Sequence, residues 1–290
     1  MLHRIAVAAA ALVVSTVVGP AATAETVAQA TVANIAHRGA SAYAPENTLA
    51  AVRLGVEMKA DLVEIDVQQT KDHQLVVIHD TTLARTTDVE QKFPARAPWR
   101  VSDFTLDEVR TLDGGSWKDP RYTGELVPTL TEVLDVLERS QSGLLLEAKA
   151  PELYPGIAER IADELKQRPW WVQPDPTARH LVVQSFNWDF IRHFHGLLPQ
   201  VQVGVLGAPT AEQLADVATY SNQVNPHHSA ATPDYIGAVH ARGMRINPYT
   251  VNDPVLMRTL IDRGVDGIIS DRPDVLYEEI HNLAPHRAGA

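Results

Sequence analysis

DLVEIDVQQT, residues 61–70, reads as a β-strand with two unlike faces. Side chains alternate along a strand, so Leu62, Glu64 and Asp66 share one face while Val63, Ile65 and Val67 share the other. The β-branched face has to meet a layer of helices. That turns both carboxylates inward, about 7 Å apart by the usual rise per residue. GLLLEAKA, residues 143–150, repeats the device: Leu144, Leu146 and Ala148 face outward, and Leu145, Glu147 and Lys149 face inward. Strands with an aliphatic outer face and acids near one inner end suit a parallel barrel whose site lies at its mouth.

Short β-rich runs and helical patterns alternate along the rest of the chain. Further strands are expected at 32–39, 74–80, 179–186, 200–207, 222–229, 244–251 and 265–271. Helical periodicity is expected at 47–59, 130–140, 156–168, 188–198, 211–221, 233–243, 254–264 and 272–282. Strand and helix repeated about eight times is the pattern of a closed (β/α)8 TIM barrel. The open doubly wound alternative lacks its G-x-G-x-x-G turn anywhere in the chain. The alternation breaks over 81–127, where Pro94, Pro98, Gly114, Gly115, Pro120 and Gly124 punctuate a segment carrying Trp99, Trp117 and Tyr122. An insertion this long in an early βα loop is expected over the C-terminal face of the barrel, where barrel enzymes build their sites.

With 290 residues, 45% of them hydrophobic, the chain can bury one large core. A net charge of -11 without any Lys/Arg run argues against nucleic acid as a partner. Residues 1–24, MLHRIAVAAAALVVSTVVGPAATA, join a basic start, an apolar run and an A-x-A site. They read as a secretory signal cleaved near Ala24, which leaves the barrel over 25–290 and places the product outside the cell or in its envelope. The run from Ile5 to Val18 is shorter than the roughly 20 apolar residues that span a bilayer, so no stable membrane insertion is expected. The chain has no cysteine, hence no disulfides and no thiolate zinc site. Nothing in it addresses oligomeric state.

Glu64, Asp66 and Glu147 in one mouth would repel one another unless protonated or neutralised by a cation. An all-oxygen set selects one hard divalent ion, Ca2+ or Mg2+. His37 ends the first strand on its inward side, and His79 ends LVVIHD in the same way, so both imidazoles should look into that mouth. Each can give or take a proton near neutral pH. Arg38 offers a planar set of donors for phosphate oxygens, and Lys149 a compact positive charge beside Glu147. Gly39 permits close backbone approach, and PENT, residues 45–48, can start the next helix with Asn47 as its cap. Glu46 either supports the site or favours that helix's N-terminus. His227 and His228 are adjacent and so face opposite ways, while His193 and His195 are two apart on a helix; neither pair is expected to share a site. Ser185 lacks a G-x-S-x-G elbow.

The ordered blocks HRGAS, PENT, EIDVQQTKD, VVIHDTTLARTT, LEAK, VVQSF, YTVND and GVDGIISDRPD resemble the glycerophosphodiester phosphodiesterases from about Ile35 to Asp274, nearly the whole of the expected mature protein. The resemblance implies a (β/α)8 barrel with an insertion after the second strand region, acting on small-molecule glycerophosphodiesters to give an alcohol and sn-glycerol 3-phosphate. It also implies Glu64, Asp66 and Glu147 as metal ligands, His37 and His79 as the acid/base pair, and Arg38 and Lys149 on the phosphate. Tyr249 stands where many relatives carry tryptophan, still a flat wall for a glycerol backbone. Ala148 stands where a larger aliphatic residue is usual. The sphingomyelinases D share a similar barrel and His, Glu, Asp arrangement but act at lipid surfaces. The long insertion, and the lack of a basic amphipathic segment, favour a soluble substrate here.

Overall fold

A computed structural model describes residues 32–175, 177 and 179–283; the signal read at 1–24 lies outside the described residues. The strands are β1 (Ala33–Ala36), β2 (Leu62–Gln69), β3 (Leu75–Val77), β4 (Gly143–Ala148), β5 (Leu181–Ser185), β6 (Gln202–Leu206), β7 (Gln223–Asn225), β8 (Arg245–Ile246) and β9 (Gly267–Ser270). Eight of them run parallel in the order β8-β7-β6-β5-β4-β2-β1-β9. Backbone hydrogen bonds from Asp266 to Ile246, Ile269 to Pro248 and Val251 to Ile269 bridge the remaining seam. The result is the nearly closed barrel that the strand and helix alternation requires.

The run at 74–80 is not a barrel strand, contrary to the sequence reading. β3 folds back on β2 and pairs with it antiparallel, Val77 opposite Val67. The cause is the shortness of β1, which follows β2 only as far as Val63. β4 takes the other edge of β2 up to Val67, so the upper edge on the β1 side is left for β3. His79 therefore reaches the mouth from a hairpin on the free upper edge of β2.

All eight expected helical runs are present: α1 (Leu49–Glu57), α4 (Leu130–Ser140), α5 (Ile157–Lys166), α6 (Trp188–Leu197), α7 (Ala211–Val217), α8 (Pro233–His240), α9 (Pro254–Asp262) and α10 (Pro273–Leu283). Two further short helices, α2 (Val89–Lys92) and α3 (Leu106–Val109), belong to the insertion. The two-faced strands sort as their alternation demands. Val63, Ile65, Val67, Leu144, Leu146 and Ala148 pack in the layer between strands and helices. Leu62 and Leu145 join Ala33, Ile35, Val182 and Ile269 inside the barrel.

The insertion has a core of its own, in which Leu83, Val101, Phe104, Val109 and Leu112 pack on Val76 and Ile78. It leans on the β1–α1 loop. Lys118 Nζ donates to the Ser41 carbonyl at 2.9 Å, and Arg121 and the Tyr122 hydroxyl each donate to the Tyr43 carbonyl at 3.0 Å. The segment thus flanks the mouth on the β1 side. Gly39 is needed for contact with α1 rather than with a ligand: its φ is +79°, and a Cβ there would sit 2.4 Å from the Ala51 carbonyl carbon.

Candidate active site

Strand register explains why the three acids meet. Asp66 lies directly beside Glu147 across the β2–β4 pair, and Glu64 is two residues below Asp66 on the same face. Glu64, Asp66 and Glu147 are 2%, 1% and 6% exposed, and one oxygen from each falls within 4.8 Å of the others. Burial, with Asp66 and Glu147 alongside, pushes Glu64 well above the usual carboxylate range. Burial and then Asp66 push Glu147 up to about 7. Asp66 goes the other way: burial raises it, but Arg38, His79, Lys149 and the Asn47 amide together outweigh burial and hold it low. A buried cluster of oxygens that resists full ionisation is short of positive charge. These donors fit a hard divalent ion, so the trio could hold a metal.

The cations come from the strand ends. Arg38 adopts a left-handed φ of 53°, which aims its backbone N–H at Glu64 Oε2, 2.8 Å away. Its Nη1 donates to Glu46 Oε1 at 2.8 Å, while Nε lies 3.4 Å from Asp66 Oδ2, buried and without a hydrogen-bond partner among the described residues. Lys149, one residue past β4, donates to Glu147 Oε1 at 2.9 Å and lies 3.7 Å from Asp66 Oδ1. Asn47 does not cap α1, as its sequence position had suggested. Thr48 accepts from Ala51 N, whereas Asn47, at φ 60°, donates to Asp66 Oδ2 at 2.8 Å and accepts from Asp66 N at 3.1 Å. Helix capping is a local demand; holding Asp66 is the stronger use of that amide.

Both imidazoles are oriented by a carboxylate. His37 Nδ1 lies 2.6 Å from Asp271 Oδ1, and Asp271 also accepts from Ser41 Oγ and Asn252 Nδ2. Burial raises Asp271, but His37, Asn252 and Ser41 outweigh it and hold it at about 2. His79 Nδ1 lies 2.7 Å from Asp80 Oδ1. A charged carboxylate only accepts, so each ring keeps a proton on Nδ1 and has Nε2 left for the mouth. Burial moves His79 downward from its ordinary value, so its neutral form is favoured.

His37, Arg38, Glu64, His79, Glu147, Lys149 and Tyr249 line one cavity of about 290 Å³. Asp66 lies just behind them. Every site residue read from the sequence is therefore at or beside one mouth. Phe186, Leu206, Thr250, Ile269 and Gln184 complete the lining, and the Phe186 and Tyr249 rings meet edge to face with centroids 6.0 Å apart. Sequence reasoning missed Phe186, Gln184, Asp80, Arg85, Asn252 and Asp271. Phe186 and Asp271 directly follow β5 and β9, in QSF and SD, and Asp80 lies three residues past β3, in IHD; those positions were the available signal. His227 lies against Tyr249, with ring centroids 6.1 Å apart, while His193 is on α6 and bonded to Glu159 of α5. Ser185 is buried with its hydroxyl on the Ala148 carbonyl. Among the described residues, no helix is long and apolar enough to cross a membrane.

Comparison with known proteins gives this arrangement its context. The chain is 35% identical to a glycerophosphodiester phosphodiesterase of Caldanaerobacter subterraneus subsp. tengcongensis, covering 83% of this chain and 95% of the relative. It is 33% identical to a Bacillus subtilis glycerophosphodiester phosphodiesterase, covering 84% and 85%. The solved structure of an Oleispira antarctica phosphodiesterase in complex with the product sn-glycerol-3-phosphate matches with a TM-score of 0.76 at 32% identity, over 85% of this chain and 96% of the other. The sequence model of the glycerophosphoryl diester phosphodiesterase family matches residues 37–275, which begin at the first site histidine and take in every residue of the mouth. A barrel of this topology, with this mouth and these relatives, makes the chain a phosphoric diester hydrolase belonging to the glycerophosphoryl diester phosphodiesterase family.

Proposed function

We propose that the chain is a secreted, metal-dependent glycerophosphodiester phosphodiesterase that releases an alcohol and sn-glycerol 3-phosphate. One observation carries this reading: a single cavity brings two imidazoles, each held through Nδ1 by a carboxylate, to a three-carboxylate cluster bordered by Arg38 and Lys149. Glu64, Asp66 and Glu147 would hold Ca2+ or Mg2+, whose role when bound is Lewis acidity at a phosphoryl oxygen.

The protein's own groups supply the rest. Arg38 and Lys149 offer donors to the phosphate, and their burial beside carboxylates makes those donors fixed rather than floppy. Nε2 of one neutral imidazole takes the proton of the attacking hydroxyl as the new P–O bond forms. Nε2–H of the other, protonated, imidazole passes its proton to the departing alkoxide as the old P–O bond breaks. Phe186, Tyr249, Leu206 and Ile269 offer an apolar wall to the glycerol carbons. The attacking hydroxyl belongs to water or to the substrate's neighbouring glycerol carbon. A transient cyclic phosphate, seen by phosphorus NMR, marks the second route.

The test is a panel of glycerophosphocholine, glycerophosphoethanolamine, glycerophosphoinositol and lysolipids, assayed with each metal for sn-glycerol 3-phosphate. Release from the soluble diesters with Ca2+ or Mg2+ is expected. No release from any of them with either ion would overturn the reading. Export through residues 1–24 is checked separately by sequencing the N-terminus of protein recovered from the medium, which should begin near Glu25.

A further inference from the structure

We propose that Arg85, which the insertion contributes, is a positioning residue: it ties the His79 imidazole to the Arg38 guanidinium so that proton transfer and phosphate binding keep a fixed separation. The assignment rests on the roles proposed above for those two side chains.

Its geometry is that of a double fork. Arg85 Nε donates to Asp80 Oδ2 at 2.7 Å and Nη2 to Asp80 Oδ1 at 2.9 Å. On its other edge, Nη1 donates to Glu46 Oε2 at 2.9 Å and Nη2 to Glu46 Oε1 at 2.7 Å. Each carboxylate has a second duty. Asp80 Oδ1 holds His79 Nδ1 at 2.7 Å, and Glu46 Oε1 accepts from Arg38 Nη1 at 2.8 Å. A continuous chain therefore runs from His79 through Asp80, Arg85 and Glu46 to Arg38. Trp117, also from the insertion, stands beside it, with the Arg85 Cζ 6.0 Å from the ring centroid.

The fold itself gives these two groups no shared ladder. His79 follows β3, Arg38 follows β1, and each of those strands pairs with β2 but not with the other. Small errors in relative placement are costly when a proton-transfer group and a phosphate clamp must act on one phosphate. A planar guanidinium sets the spacing of two carboxylates on two of its edges; an ammonium, being a point charge, does not.

The experiment compares the full-length, metal-loaded protein with Arg85→Lys, Arg85→Gln, Asp80→Asn and Glu46→Gln on glycerophosphocholine, with melting temperature recorded for each. Arg85→Lys and Arg85→Gln should both lower kcat by roughly ten- to a hundredfold, in the range seen when supporting partners of a site are removed. Combining Arg85→Gln with Asp80→Asn or with Glu46→Gln should give less than the product of the single losses, because each breaks the same chain. Arg192→Gln, which removes the remote ion pair with Asp216, should leave kcat unchanged. Arg85→Lys keeps the charge and so separates orientation from any loss of stability. Wild-type kcat in Arg85→Gln, full rescue by Arg85→Lys, strictly multiplicative doubles, or a kcat loss that merely tracks early melting would each overturn the assignment. A wild-type protein inactive on every diester would remove the functional reading and this assignment together, whereas an active wild type with unaffected variants removes this assignment alone.

Discussion

In the mechanism proposed above each imidazole would act through one nitrogen, and in both His37 and His79 the nitrogen left free is Nε2, because Asp271 and Asp80 occupy Nδ1. His37→Ala and His79→Ala are each expected to lower turnover by roughly a hundredfold or more, with melting little changed. On a p-nitrophenyl ester, whose leaving group needs little help, the variant lacking the general acid should lose less. Equal losses on good and poor leaving groups would rule out this division of labour. At this scale the sequence was informative wherever side-chain period decided direction: Glu64, Asp66, Glu147 and Lys149 share inner faces of strands, and period two is enough to say so. It was silent on Asp271, Asn252 and Arg85. Asp271 meets His37 from 234 residues away, Arg85 meets Glu46 from 39 and Asn252 meets Asp271 from 19, and no local pattern encodes those meetings.

Misreading 74–80 as a barrel strand has a cause at the level of elements. Alternation marks a strand but carries no direction, and the shortness of β1, which leaves an edge of β2 open, is not visible in composition. The expected helices, by contrast, needed only their own periodicity and caps. The role of the insertion also changes when its packing is known. As a sequence it read as a long loop over the C-terminal face of the barrel; in the fold its cluster also buries Val76 and Ile78 of the β3 hairpin that delivers His79. Removing residues 81–127 and closing the gap with a short linker is therefore expected to lower the melting temperature and abolish turnover, not merely to blur substrate choice. A deleted protein that melts like the wild type and keeps its ranking of diesters would refute this. Gly39→Ala tests the neighbouring loop. With φ at +79° and the new Cβ only 2.4 Å from the Ala51 carbonyl carbon, α1 must move away from the Arg38 loop. Destabilisation of about 2 kcal/mol or more by denaturant melts is expected, against the few tenths of a kcal/mol typical of a harmless surface change.

For the whole molecule, the acid cluster links proton, metal and stability. Glu147 rises from an ordinary value of 4.5 to about 7 in the fold, and Glu64 rises too. A carboxyl whose folded pKa is raised binds its proton more tightly when folded. The stability it contributes is complete below the unfolded pKa and is lost as pH climbs through the folded one. Asp66, held low, has the opposite sign, and its contribution fades only as the solution becomes strongly acidic. Between about pH 5 and about pH 8 the raised pair dominates, so metal-free protein should lose stability as pH rises. A divalent ion held by the trio would compete with those protons for the same oxygens. Calcium or magnesium should therefore raise the melting temperature more at the alkaline end, flattening the pH profile and restoring activity lost to chelator. Zinc should substitute poorly, because hard oxygens are all the trio offers. Glu147→Gln keeps the shape without the charge: it should weaken the pH dependence of the metal-free protein and raise the metal concentration needed for half activity. If chelated protein, shown by metal analysis to be empty, still cleaves glycerophosphocholine at full rate, and its melting follows pH identically with and without calcium or magnesium, the three carboxylates are not a metal site.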